Sequence, residues 1–335
     1  MASTEPTAPR RPSRGVRLRD AFLTLWSIFR ANPLTLVGFV LVVLILVSTV
    51  IIWIVPVLSV YVVGHAVSVL PYPPNSVVAT KFLPPTSAHP FGTDDFGRDV
   101  FSRVLAALPI DISIGLSITL FSVLLGGGLG LVSGFWDTPG TLGGASSVII
   151  LRVTDVFLAF PSLVLALAIA ASLGRSFGDA VFAIAATWWP FYVRLVRGEV
   201  LAVKNAPYVT AARAAGLSNG RILTRHIIRN ILEPIVVYYT LDVGSVLIAF
   251  STITFIGLGV PPNIPEWGNM ISDYATFLTS DPWPTIFVGG AVFVTVLAFS
   301  LLGDGLRDVL DPRSRRALAV TSASAGELGR ETPLA

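Results

Sequence analysis

The sequence predicts an all-α integral membrane protein with six membrane-spanning helices, and three observations carry that prediction. Of the 335 residues, 53% are hydrophobic and only 13% are charged, about half the charged share of an ordinary soluble domain. Six apolar runs alternate with polar segments bearing glycine and proline. The basic residues also sort by side. All but four of the 23 Lys and Arg fall in segments that a chain with both termini inside keeps in the cytoplasm; Lys81, Arg98, Arg103 and Arg175 fall outside. Such a bias sets an N-in, C-in orientation.

Residues 1–15 are polar, basic and Pro-containing, a composition that favours disorder. Over 16–32, Phe22, Leu25, Trp26 and Phe29 repeat at helical spacing behind Arg17, Arg19 and Asp20, which predicts an amphipathic helix on the inner membrane surface. The first span covers 33–58, long enough to cross a ~30 Å hydrocarbon core. No small-residue cleavage site follows it, so it reads as a retained anchor. Residues 59–108 form a proline-rich loop outside the membrane, ending in HPFGTDDFGRDVFSRVL.

A core follows over 110–303. Its second span, 110–135, carries Gly126, Gly130 and Gly134 on one face, a spacing that lets helices approach closely. That face serves either the chain's own bundle or a partner subunit. The third span, 146–173, has Arg152 and Asp155 close enough in sequence to pair, and Pro161 kinks it. The fourth, 180–193, is short, with Trp188, Trp189 and Tyr192 suited to the membrane–water interface. The fifth, 231–256, holds Asp242. An intramembrane carboxylate either lines a path or sits at a helix interface bonded to Ser, Thr or Tyr neighbours. Loop 257–282 lies outside, with an acidic face from Glu266, Asp273 and Asp281. The sixth span is 283–302, and 303–335 form an inner tail. In it, Arg307, Asp308, Asp311 and Arg313 either lock the exit helix to the preceding inner loop or anchor it at the interface.

That inner loop, 194–230, is the most distinctive stretch. Tyr208, Ala211, Ala212 and Ala215 fall at i, i+3, i+4 and i+7, a smooth helical stripe. Gly216 follows where a helix needs a left-handed residue to stop. Ser218 then opens a second helix carrying Ile222, Leu223, His226 and Ile227. A helix–turn–helix with an alanine face between membrane spans has the form of a docking device.

Much chemistry is excluded. The chain has no cysteine, and its three histidines (His65, His89, His226) are scattered, so no metal site is expected. Its only lysines, Lys81 and Lys204, lie in no Gly-rich loop, so there is no Walker A motif and no expected catalytic residue. An ion-coupled carrier would show internal repeats and polar relays, of which Asp242 is nearly the only candidate; a non-transport scaffold is the other class that fits the composition.

Five motifs converge in order: HPFGTDDFGRDVFSRVL, RVTDVFLAFPSLVLALAIAASLG, WWPFYVRLVRGEVLAVKNAPYVTAARAAGLSNGRILTRHIIRN, ITFIGLGVPPNIPEWGNMI and LLGDGLRDVLDPR. With them the chain, over roughly 17–316, resembles the permease subunits of ATP-binding-cassette importers of the dipeptide, oligopeptide and nickel group, within the type I permease fold. The resemblance implies a second permease chain, two ATPase subunits inside and a substrate-binding protein outside, with ATP and Mg bound only by the ATPases and no cofactor on this chain. It implies peptide transport, with oligosaccharide or nickel as alternatives within the group. It assigns ATPase coupling to Tyr208, Thr210, Ala211, Ala212, Arg213, Ala215, Gly216, Leu217 and Ile222, where Thr210 stands in place of the group's usual glutamate and Arg229 in place of a frequent proline. Phe250 and Ser251 likewise replace a glutamate ahead of the GLG stretch. Asp155, Pro161, Asp242, Gly257 and Gly259 are pore or helix-interface candidates.

Overall fold

A computed structural model describes residues 32–310, except 64, 66, 139, 175 and 262. The expected N-terminal disorder, nearly all of the amphipathic helix over 16–32, and the tail beyond Leu310 lie outside the described residues. Their regular elements are all helices, and the irregular stretch before Val100 carries only the isolated bridges Val77–Arg98 and Thr93–Asp99.

The helices are α1 (Pro33–Val63), α2 (Val100–Phe135), α3 (Leu142–Leu158), α4 (Ser162–Leu173), α5 (Phe177–Val203), α6 (Pro207–Ala214), α7 (Asn219–Ile222), α8 (Ile228–Phe255), α9 (Trp267–Ala275) and α10 (Trp283–Leu310). Among the described residues, Pro33–Tyr61, Val100–Phe135, Asn219–Phe255 and Trp283–Leu310 are long and apolar enough to cross a membrane. The pair α3 and α4 makes a fifth span if its 83° bend is counted within one crossing. The bend is sharper than a kink: Ala159 ends α3 and Pro161 occupies the N-cap of α4, because proline lacks the N–H that would continue the ladder. The fourth expected span lies inside α5, whose 27 residues also carry Asp179, Arg194, Arg197 and Glu199.

Caps explain the boundaries. Asp99 accepts the Ser102 N–H and starts α2 ten residues before the expected span. Thr141 accepts the Gly144 N–H at α3. Ser176 and Asp179 form a reciprocal capping box at α5. Between α7 and α8 the five residues Leu223–Ile227 form a π-turn, so the second loop helix and the fifth span are one continuous helix, Asn219–Phe255.

Helices α2 and α5 form the most extensive pair. The glycine row of α2 faces α5. A Cβ on Gly126 would collide with the Trp189 carbonyl, one on Gly130 would lie 2.8 Å from the Val193 carbonyl, and one on Gly134 would lie 2.8 Å from Val200 Cβ. This row is therefore bundle packing within the chain. Gly38 of α1 and Gly305 of α10 permit a similar approach, Gly305 lying against Thr35.

Three apolar clusters run along the molecule. At one end, the cap end, Val100, Val104, Trp267, Met270 and Tyr274 join α2, α9 and their neighbours. In the middle, Ile118, Ala166, Ala183 and Phe250 join α2, α4, α5 and α8. At the other end, the loop end, Phe135, Val196, Val200, Val209, Ala212, Ile222, Ile227 and Ile231 hold loop 194–230 to the bundle.

Candidate functional site

The loop end is built on α5. Three cations on one side of this helix fasten it to α2, to α3 and to the turn between them. Arg194 donates to Asp155 at 2.7 Å, Arg197 to Asp137 at 2.9 Å, and Lys204 to the Gly134 carbonyl at 2.9 Å. Asp155 thus pairs with Arg194 across helices and not with its sequence neighbour Arg152. Its bond is half-exposed, so its contribution is at most about 1 kcal/mol.

Just beyond Lys204, Pro207 occupies the first turn of α6, where its missing N–H costs nothing. The helix ends in a complete Schellman motif: Leu217 N–H donates to the Ala212 carbonyl at 3.1 Å and Gly216 N–H to the Arg213 carbonyl at 2.9 Å. Gly216 has φ +75, and a Cβ there would meet nothing within 4 Å. The glycine is needed for its backbone angle and not for room. Ser218 occupies the N-cap of α7, and its carbonyl accepts the Ile222 N–H at 3.0 Å, but its hydroxyl makes no cap bond.

The structure divides the expected coupling residues. Tyr208, Thr210, Ala211, Arg213, Ala215 and Gly216 are exposed. Ala212 and Ile222 are not: they are buried in the loop-end cluster, with Leu217 packed half-buried against it. The reason is geometric. At 100° per residue, Ala212 sits at the edge of the stripe on the side of Val209, which is fully buried. The free surface is therefore Tyr208, Ala211, Ala215 and Gly216, on a base of Val209, Ala212, Ile222 and Ile227.

The remaining candidates have structural places. Asp242 accepts from Trp188 Nε1 at 2.8 Å and Tyr192 OH at 2.9 Å, a satisfied carboxylate between α5 and α8. Tyr192 and Trp189 are buried inside the bundle and not at an interface belt. Gly257, φ +84, ends α8 with a second Schellman motif, in which Gly257 N–H donates to Thr254 and Leu258 N–H to Ile253. At Gly259 a Cβ would lie 2.7 Å from Ala180 Cβ, so this glycine seats the loop on the start of α5. Pro161 is exposed at the α3–α4 bend.

The cap end holds a polar network that sequence reasoning missed. Asp94, fully buried, accepts from the backbone of Phe96 and Arg98, from Arg98 Nε at 2.6 Å and from Tyr274 OH at 3.1 Å. Arg103 is also fully buried; it stands 3.7 Å from Asp94 and donates to the Pro74 carbonyl and Asn75 Oδ1. His89 Nδ1 lies 2.8 Å from Asp99. Glu266, expected on an acidic face, is instead buried and caps α9 through the N–H groups of Gly268 and Asn269. Burial pushes its carboxyl up, and those two N–H bonds pull against the shift. Beside it the Trp267 N–H donates to buried Asp111. A signal for α9 was present: Trp267, Met270, Ile271 and Tyr274 stand at i, i+3, i+4 and i+7.

Comparison with known proteins places this geometry. A family model described as binding-protein-dependent transport system inner membrane component matches residues 126–316. The probable D,D-dipeptide transport system permease protein DdpC of Escherichia coli (strain K12) is 38% identical over 315 residues, 94% of this chain and 98% of the relative. The dipeptide transport system permease protein DppC of Alkalihalophilus pseudofirmus is 40% identical, over 69% of this chain and 74% of the relative. The glutathione transport system permease protein GsiD of Pectobacterium atrosepticum is 40% identical, over 68% and 74%. Among solved structures, an inward-facing form of the MetNI methionine ABC transporter aligns with a TM-score of 0.51 at 14% identity, covering 63% of this chain and 96% of that chain. At that identity the likeness is one of fold.

Proposed function

Because this chain belongs to the binding-protein-dependent transport system inner membrane components, we propose that it is one of two permease chains that form the pore of an ATP-binding-cassette importer for short peptides. The names of its relatives, for D,D-dipeptide, dipeptide and glutathione transport, support that substrate class. Under this reading six spans cross the inner membrane with both termini in the cytoplasm, and the cap end faces a substrate-binding protein. ATP is hydrolysed on separate subunits that dock against α6, with Thr210 and Arg213 bordering the contact.

The observation that carries the reading is the loop end itself: an exposed, smooth helical face on a buried apolar base, tied by Lys204 to α2 and continuous with α8. Closing of the ATPases would drag α6 with them. The base would pass the movement to α2, α5 and α8 as a rigid body, opening the pore alternately to either side.

The experiment is co-purification. Ala211→Arg and Ala215→Arg, both on the exposed face, should abolish recovery of the ATPase subunits with the solubilised chain while membrane insertion stays normal. Full recovery of the ATPases with both variants, alongside wild-type uptake of a labelled dipeptide, would overturn the docking assignment. Ala212→Arg is the wrong probe, because it would burst the base and not block the surface.

A further inference from the structure

The start of α9 is fastened to α2 by two carboxyl groups and one tryptophan. Trp267 N–H donates to Asp111 Oδ2 at 3.2 Å, and its indole Nε1 donates to the Val104 carbonyl at 3.2 Å. Glu266, one residue earlier, accepts the Gly268 N–H on Oε1 at 2.9 Å and the Asn269 N–H on Oε2 at 2.8 Å. Asp111 is 1% exposed and Glu266 is 0% exposed. The two carboxyl groups are within hydrogen-bonding reach of each other, and the Thr254 hydroxyl reaches Glu266 from α8. Asp111 Oδ1 is buried as well and takes no hydrogen bond from any described donor.

We propose that Asp111 and Glu266 hold one proton between them, carried on Asp111, and that this proton latches α9 to α2. Two ionised carboxylates in contact inside a bundle repel each other with no solvent to screen them, whereas one proton turns the contact into a hydrogen bond. No described cation offers another solution. Helix α1 carries no charged side chain, and those of α10 lie in its last two turns. On α8, Arg229 and Glu233 stand near the opposite end, and Asp242 is held by Trp188 and Tyr192. Arg98 and Arg103 are drawn to Asp94, and Asp273 lies in their field. His89 pairs with Asp99, and Tyr274 bonds Asp94. The proton belongs to Asp111 because the donors are on Glu266. Both Glu266 oxygens take an N–H, as an anion at a helix N-terminus should, while one Asp111 oxygen takes none.

Above about pH 5 both carboxyls of the unfolded chain are ionised. The folded chain still holds one proton, so its stability falls as pH rises. The burial that pushes the Glu266 carboxyl up acts in the same direction. The latch stands on these contacts alone; only its consequence rests on the transport reading. On that reading the latch lies beneath the surface turned to the substrate-binding protein, so an alkaline exterior would loosen that surface and leave the loop end as it is.

Asp111→Asn is the test, since the amide keeps an oxygen for the Trp267 N–H and offers Glu266 a donor without needing a proton. In the solubilised full chain, the folding equilibrium of the wild type should weaken relative to that of Asp111→Asn by up to about tenfold per pH unit between about pH 5 and pH 8. Parallel pH dependences of the two proteins overturn the latch. Glu266→Gln should be the costlier change, because one of the two N–H groups at the start of α9 loses its acceptor. A costlier Asp111→Asn overturns the placing of the proton on Asp111. The infrared spectrum of the wild type at about pH 8, where ordinary carboxyls are ionised, should carry a protonated carboxyl band that shifts on isotopic labelling of aspartate and not of glutamate. Absence of that band overturns the proposal even if neither variant folds. A stability difference that follows sodium concentration at fixed pH overturns it too, and assigns the pair to a metal cation. None of these readouts measures uptake, so failure of the latch and failure of the transport reading are separable.

Discussion

The two ends of the molecule are held together by opposite means. At the cap end the fixing groups are buried charges: Asp94, Arg103, Asp99 and Glu266, all at most 1% exposed. At the loop end they are Val209, Ala212, Ile222 and Ile227, with charged residues left at the surface. A buried ionic network tolerates few arrangements, because removing one member strands the others without solvent. An apolar base tolerates small shifts, since its contacts are non-directional. The difference teaches that one chain can be fixed by directional buried charges at one end and by non-directional apolar contacts at the other.

That contrast can be broken most sharply at Asp94. Asp94→Ala removes the shared partner of Arg98 and Tyr274 and strands buried Arg103. It should destabilise the chain by about 3–5 kcal/mol, read as a lower melting temperature of the solubilised protein with the ATPases still attached. Next is the seam that joins the two ends. Gly126→Leu drives a side chain into the Trp189 carbonyl and should cost at least about 1–3 kcal/mol, visible as loss of protein from the membrane. Gly216→Val places a β-branched residue at φ +75. The cost of about 1–2 kcal/mol should fall on the loop end alone, so that ATP hydrolysis persists while dipeptide uptake falls severalfold. Uptake equal to wild type with the ATPases attached would remove the loop's stiffness from the account. Smallest is Thr210→Ala. Its hydroxyl makes one exposed bond of 3.4 Å to the Ala206 carbonyl, and its loss should change stability by less than about 0.5 kcal/mol. Retained co-purification would confine docking to the alanine face.

The loop end was largely legible in the sequence because its signals are local. The alanine stripe, the stop at Gly216 and the restart after Ser218 lie within a dozen residues, and helix geometry orders them. The inward turn of Ala212, Leu217 and Ile222 needed the structure, since these residues are sorted by what packs beneath them. The cap end was not legible for the converse reason. Tyr274 bonds Asp94 from 180 positions away, and Trp267 bonds Asp111 from 156. No periodicity records such partners. Glu266 looked like a solvated loop carboxylate because its burial comes from α2 and α8, not from its neighbours in the chain. The glycines of α2 announced a close approach without naming α5 as its object.

The continuous helix from Asn219 to Phe255 has a mechanical consequence. Its 37 residues span about 55 Å. One end lies in the loop that follows α5. The other lies under Gly268, which sits so close to Ser251 and Thr254 that not even a methyl group would fit between them. The helix runs unbroken between these two ends, like a beam. A tilt about its middle carries the two ends in opposite directions by similar amounts. The π-turn at Leu223–Ile227 and Pro234 both interrupt the regular hydrogen-bond ladder near the loop end, so a pull applied there would reach the far end only through these two sections.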